Sequence, residues 1–272
     1  MNQQSLIDFT LHLADNNLIL AQRNSEWCGH GPVLEQDIAI TNISLDLIGQ
    51  ARNFYQYAAQ LINDSPAPLS TEWREPVPIL REVRGEVTED TLAFHRSEKD
   101  FKNCLIVEQP NGDWGQTILR QFFYSTHQIY LYQQLQKINP GGYRDEQLAA
   151  IAAKALKELT YHLRWSSEWV IRLGDGTEES HERMLNAIEM LKMYTGEFFI
   201  AVDYEKEMGI DVKTIENQWE EKVKEVFKEA TLPLPGNVKN QTGGKEGNHS
   251  EHLSHILGEM QQLQRTYPGA EW

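Results

Sequence analysis

Long apolar runs are missing from these 272 residues. None reaches the roughly 18 residues that a membrane-spanning helix needs. The first residues, Met1-Asn2-Gln3-Gln4-Ser5-Leu6-Ile7-Asp8, have neither the basic flank nor the apolar segment of a secretory signal, so a cytoplasmic chain is expected. Basic charge is scarce too. Lys and Arg number 25 against 40 Asp and Glu, a formal charge of −15. That balance argues against wrapping nucleic acid, which needs a basic footprint. It leaves room for a local cluster that holds an anion. Cysteine is nearly absent: Cys28 and Cys104 form no metal or redox spacing and read as reduced structural thiols.

Hydrophobic residues make up 40% of the chain, enough for a substantial core, and they recur at helical spacing. The pattern predicts an all-α fold: one helical domain over residues 1–272, built on a four-helix bundle. Core helices are expected over residues 5–22, 33–62, 114–136 and 143–173. Accessory helices are expected over 89–104, 177–198, 212–230 and 250–265. Breaks fall at Asn24 to Pro32, at Asn63-Asp64-Ser65-Pro66, at Pro110-Asn111-Gly112, at Asn139-Pro140-Gly141-Gly142 and at Gly174-Asp175-Gly176. Pro66, Pro68, Pro76 and Pro78 mark an irregular connection, and Thr177 is a helix cap with Ser180 as the alternative.

A further absence is chemical. Ile40, Ile43, Leu47, Gln50, Phe54 and Leu61 share one helix face, and so do Leu148, Ala152, Ala155, Leu159, His162 and Trp169. In each, a Leu precedes a lone polar residue by three positions: Leu47 with Gln50, and Leu159 with His162. Di-iron bundles place a Glu-x-x-His pair on two such helices and one carboxylate on each of the other two. Leu cannot hold a hard cation. On the remaining core helices the inward stripes carry Asn17 and Ser125, again with no carboxylate. The plainer alternative is that Asn17, Gln50, Ser125 and His162 are separate core polar groups that fix register. Asp46 and Glu158 lie one residue off the Leu stripes, a rotation of roughly 100°, and are expected to face away from the centre.

Other constellations are weaker. Lys222, Lys224 and Lys228 share a helix face that is either an anion site or simply solvated. His252 and His255 with Glu259 could bind a transition metal, or could be an exposed helix face near His249 and Glu251. The segment Thr242-Gly243-Gly244-Lys245-Glu246-Gly247 lacks the preceding strand and Lys-Ser/Thr ending of a phosphate-binding loop. A flexible link or a partner-contacting loop, with Lys245 as a contact, is expected there.

Several segments together resemble one family. They are Asn42-Ile43-Ser44 followed by Leu45-Asp46-Leu47-Ile48-Gly49-Gln50-Ala51-Arg52, then Asp90-Thr91-Leu92-Ala93-Phe94, and Val107-Glu108-Gln109-Pro110-Asn111-Gly112. Lys157-Glu158 with Tyr161-His162-Leu163-Arg164, the Thr242 to Lys245 segment, Glu251-His252-Leu253 and Glu259-Met260-Gln261 extend the likeness along the whole chain. The family is the structural C subunits of bacterial ring 1,2-phenylacetyl-coenzyme A epoxidases. The resemblance implies a ferritin-like bundle shared with a catalytic A subunit that holds two irons. Laid on this chain, the family's ligand positions fall at Asn17, Leu47, Gln50, Ser125, Leu159 and His162, and His162 alone is of a ligand type.

The resemblance further implies tight binding to the di-iron subunit, a small bridging subunit, and a reductase carrying flavin and an iron–sulfur centre. The assembly would epoxidise the ring of phenylacetyl-coenzyme A with oxygen and NADPH. No cofactor and no catalytic residue is then expected in this chain. Two rival functions stand beside that one. The chain could be a metal-dependent oxygenase itself, with His162 joined by Glu158 or Asp46. It could instead be a module that binds coenzyme A through its lysines.

Overall fold

The long helices mostly begin where a short polar side chain closes the first turn. Asn2 accepts a hydrogen bond from the Gln4 backbone, Asp113 from Gln116, Asp145 from Leu148, Thr177 from Ser180 and Asp211 from Thr214. Each contact satisfies an amide that the helix itself leaves unpaired. The computed structural model describes residues 2–64, 86–137, 144–236 and 238–267. The helices run α1 Gln3–Ser25, α2 Leu34–Asn63, α3 Glu89–Phe94, α4 Leu105–Glu108, α5 Trp114–Leu135 and α6 Glu146–Gly174, followed by α7 Glu178–Thr195, α8 Asp203–Glu207, α9 Val212–Glu229, α10 Glu251–Met260 and α11 Gln262–Thr266. No strand occurs among the described residues. The fold is all-α.

Four long helices make the centre. Close backbone approach is concentrated within two pairs, α1 with α2 and α5 with α6, while α2 and α6 meet across longer side chains. α7 and α9 pack on α5, and α8 packs on α1. The buried apolar side chains fall into two clusters. One gathers Ile19, Ile40, Leu47, Phe122 and Trp165 with α7, α9 and α10. The other gathers Phe9, Phe54, Tyr132, Leu148 and Leu159. Leu18 and Phe199 touch both.

Some boundaries differ from the periodicity. Residues 89–104 are not one helix: α3 stops at Phe94, a 3-10 turn spans Glu98–Asp100, and Phe101 to Cys104 run extended before α4. Burial explains the break. Arg96 is fully buried, donates to both Asp15 oxygens, to Leu92 O and to Asp100 O, and lies over the Phe101 ring. A continuous helix would not deliver all those acceptors. Residues 250–265 likewise divide at Gln261, which is buried and donates to Ala93 O and Arg96 O. The last turn of the 177–198 segment is the 3-10 helix Gly196–Phe199. At the Pro110-Asn111-Gly112 turn, Gly112 takes φ +59°, a conformation that glycine reaches without steric cost. The proline-rich connection and the Asn139 to Gly142 turn lie mainly outside the described residues.

Candidate functional site

A polar layer crosses the middle of the bundle between the two apolar clusters. α1 supplies Asp15, Asn16 and Asn17, α2 supplies Gln50, α5 supplies Ser125 to Gln128, and α6 supplies His162; all are buried. On the α2–α6 side, His162 Nε2 lies 2.9 Å from Asp46 Oδ2, and Gln50 Nε2 donates to Glu158 Oε2 at 2.9 Å. Farther along the same seam, Trp165 Nε1 donates to Gln36 Oε1 at 3.0 Å and Tyr57 OH donates to Asp145 Oδ2 at 2.8 Å. These pairs run antiparallel and tie the two helix hairpins together.

The α1–α5 side is hydrogen-bonded differently. Asn17 Nδ2 donates to Tyr132 OH at 3.0 Å and to Leu13 O, while Tyr124 OH donates to Asn17 Oδ1 at 3.1 Å. Gln121 Nε2 donates to Ser125 Oγ at 2.8 Å, and Asn24 Nδ2 donates to Gln121 Oε1 at 2.7 Å. Burial pushes the Tyr124 and Tyr132 phenols above their ordinary range, so both stay protonated donors. Asn17 therefore sits between two neutral phenols.

The expectation that Asp46 and Glu158 face away from the centre is overturned. Both reach across the α2–α6 seam, Asp46 to His162 and Glu158 to Gln50. A step of one residue moves a side chain from the inward stripe to the flank, and the flank of α2 is where α6 lies. Side chains, more than close backbones, join the two helices across the seam.

The donor set does not fit a pair of hard cations. Leu47 and Leu159 are fully buried and have no coordinating atom. Asn17 and Ser125 are neutral and committed to neighbouring side chains. Two buried acceptor-capable atoms, Gln50 Oε1 and His162 Nδ1, lack a protein partner. Divalent-iron bundles need several carboxylates converging on one point. Among the described residues, no three His, Cys, Asp or Glu side chains gather in a way that could hold a metal ion.

A model of the phenylacetic acid catabolic protein family matches residues 1–272. The chain belongs to that family. It is 46% identical over 277 residues to the C subunit of the 1,2-phenylacetyl-CoA epoxidase of Escherichia coli (strain K12), with 100% of both chains covered. In this family member, the bundle is of the ferritin-like kind, and a buried polar layer crosses its middle.

The lysine expectations change in the structure. Lys245 is 2% exposed and grips Glu205 through both carboxylate oxygens, at 2.9 and 3.0 Å. It also donates to Phe198 O and Ile200 O, so it cannot meet a ligand or partner from solution. Burial works against its charge, and the Glu205 carboxylate outweighs that penalty and raises its pKa. The glycine-rich segment around it is no loose link. The Gly243 and Gly244 amides donate to Glu197 Oε1, and a β-carbon on Gly244 would lie 2.3 Å from Asn103 O. Lys222 and Lys224 pair with Glu225 and Glu220 on their own helix, and Lys228 lies exposed on the same helix, a solvated face. Among the described residues, His252, His255 and Glu259 do not gather around a shared centre.

Sequence reasoning missed the groups that complete the interior. Glu108 accepts from His249 Nδ1, the Ser250 amide and Asn103 Nδ2. Asp15 is bound by Arg96, Tyr55 and the Lys102 amide. One signal was available: Asp15-Asn16-Asn17 is a polar triplet between the apolar stretches Leu13-Ala14 and Leu18-Ile19-Leu20-Ala21, which no single amphipathic face explains.

Proposed function

We propose that this chain is the structural subunit of a multicomponent, cytoplasmic epoxidase that acts on the aromatic ring of phenylacetyl-coenzyme A. The carrying observation is end-to-end identity of 46% with the C subunit of such an epoxidase. The polar middle layer supports a non-catalytic role, because among the described residues no set of carboxylates converges there and Asn17, Gln50 and His162 are each tied to a neighbouring side chain. In this reading the two irons belong to a partner of related fold. NADPH, flavin and an iron–sulfur centre reach the assembly through a reductase, and the assembly includes a small bridging subunit.

The chain's own task is mechanical. Metal ligands work only when supporting residues hold their geometry, and a neighbouring rigid bundle can supply that support. The α2–α6 ties and the buried Asp15–Arg96 and Glu205–Lys245 pairs make this bundle stiff. The test is to express the di-iron subunit with and without this chain and to count iron per polypeptide in the purified complex. Iron that follows the partner, with insoluble or inactive partner when alone, supports the reading. A partner that is soluble and fully active by itself, or stoichiometric iron on this chain alone, overturns it.

A further inference from the structure

Gly49 lies midway along α2 on its outward face, and nothing within the chain requires it. A β-carbon built there meets no atom within 4 Å, and it continues a regular helix. Glycine inside a helix is less stable than alanine, so the position carries a cost with no internal return. A small residue on an outer helix face lets another backbone come close.

The surroundings of Gly49 suit such an approach. Leu34 (71% exposed), Ile38 (51%), Leu45 (60%) and Ile48 (44%) form an apolar stripe along the same outward side of α2. Contiguous exposed apolar surface of this kind marks an interaction face. Beside Ile48, a recess of about 330 Å³ opens between Arg52 on α2 and Ala93 and Phe94 on α3, large enough to take an anchoring side chain. On the neighbouring helix, Lys154, Lys157, Tyr161 and Arg164 recur at i, i+3, i+7 and i+10 and are exposed. Among the described residues these three cations have no ion pair, and Arg164 lies only over the Tyr161 ring. Elsewhere the same chain pairs Lys206, Lys213, Lys222 and Lys224 with carboxylates three or four residues away. Three unpaired cations in register form a local basic ridge on a chain of formal charge −15. The Asp46–His162 and Gln50–Glu158 bonds hold ridge and stripe side by side as one face.

We infer that a helix of the epoxidase's di-iron subunit crosses α2 at close range on this face, with Gly49 at the crossing point. The partner helix brings an apolar stripe against Leu45 and Ile48 and acidic residues against Lys154, Lys157 and Arg164. A second copy of this chain, which would bring Glu35 on α2 and Glu89 and Asp90 at the recess, is the competing occupant that the test separates. The inference rests on the subunit role proposed above and adds the face and its chemistry.

The experiment compares the full chain, Gly49→Ala, Gly49→Gln and the triple variant Lys154→Glu/Lys157→Glu/Arg164→Glu, each as free protein and co-expressed with the di-iron subunit of the same epoxidase. Gly49→Ala and Gly49→Gln should raise the Tm of the free chain by about 2 °C. Gly49→Gln should nevertheless weaken capture of the partner at least tenfold. The triple variant should slow association and remove most of its salt dependence. A purely internal role for Gly49 predicts no such opposition between stability and capture. Wild-type affinity in both Gly49→Gln and the triple variant sinks the proposed face while leaving the subunit role intact. A wild-type chain that is itself a dimer, dissociated by Gly49→Gln, gives the face to a second copy and overturns the inference. Failure of the wild-type chain to capture any subunit defeats this inference and the subunit role together.

Discussion

His162 Nε2 lies 2.9 Å from Asp46 Oδ2 across the α2–α6 seam, while Nδ1 of the same ring has no protein partner. The two partners differ in solvent access: the imidazole is fully buried and the carboxylate is 36% exposed. Their removal should therefore have unequal consequences. Asp46→Ala strands a buried ring nitrogen and should cost about 1–2 kcal/mol. His162→Leu leaves a carboxylate that water can reach, and it fills the interior with an apolar side chain of similar size. That change should cost clearly less. Urea unfolding of both variants checks the order, and a costlier His162→Leu would show that the ring does more than bridge helices.

Adding carboxylates to the middle layer should not create a metal site. Leu47 and Leu159 are fully buried, and Leu47→Glu/Leu159→Glu would place two acids in a layer already filled by Gln50, Glu158 and His162. Unpaired buried charge costs several kcal/mol. The double variant should be strongly destabilised or fail to fold at neutral pH, and added ferrous iron should not raise its Tm. A large Tm increase with iron would mean that the surrounding layer still accepts the ion.

Much of the bundle was legible because apolar periodicity encodes which face of a long helix is buried. The same pattern was silent about Arg96, held by the distant Asp15 carboxylate, and Gln261, which donates to the distant Ala93 and Arg96 carbonyls; both end helices that the spacing would continue. The Leu47–Gln50 and Leu159–His162 spacing located the middle layer, since each stripe carried a single polar residue. It misplaced Asp46 and Glu158, because the direction of a flank side chain depends on which helix lies beside it, and that is a property of tertiary packing. Lys245 failed for a related reason. In sequence it stands in a polar, glycine-rich stretch, and its burial arises from Glu197 and Glu205, some forty residues earlier.

Lys245 should behave as a structural residue. Lys245→Ala leaves the buried Glu205 without its counter-charge, which typically costs about 3–5 kcal/mol. Lys245→Met/Glu205→Leu removes both charges and should recover most of that loss. Gly244→Ala should also be strongly destabilising, because its β-carbon meets backbone at Asn103 and Leu105. Thermal melts and limited proteolysis of residues 243–250 read these effects. Loss of coenzyme A binding in a Lys245→Ala protein of unchanged stability would contradict the structural role.

Two buried histidines should give the stability profile opposite slopes at opposite ends. His12 Nδ1 donates to Lys102 O, 2.7 Å away, and burial lowers its pKa to about 4, with Glu205 opposing only in part. The unfolded chain takes up that proton near the ordinary value of 6.5, so stability falls as the pH drops from 6.5 towards 4, by about 3 kcal/mol from this group. His249 is placed in the reverse sense. Its ring nitrogens face Glu108 Oε2 at 2.9 Å and Phe101 O at 2.8 Å, a geometry that suits an imidazolium donating twice. Burial opposes that charge, but Glu108 outweighs it and the pKa is raised. The contribution of His249 is therefore complete below its unfolded value and is lost as the pH rises through the higher folded one. His12→Gln should flatten the acid limb of a Tm profile measured from about pH 4 to pH 9, whatever it does to stability at neutral pH. His249→Gln should lose more stability at about pH 6 than at about pH 9. Parallel profiles for wild type and His249→Gln would mean that the Glu108 site holds a neutral ring.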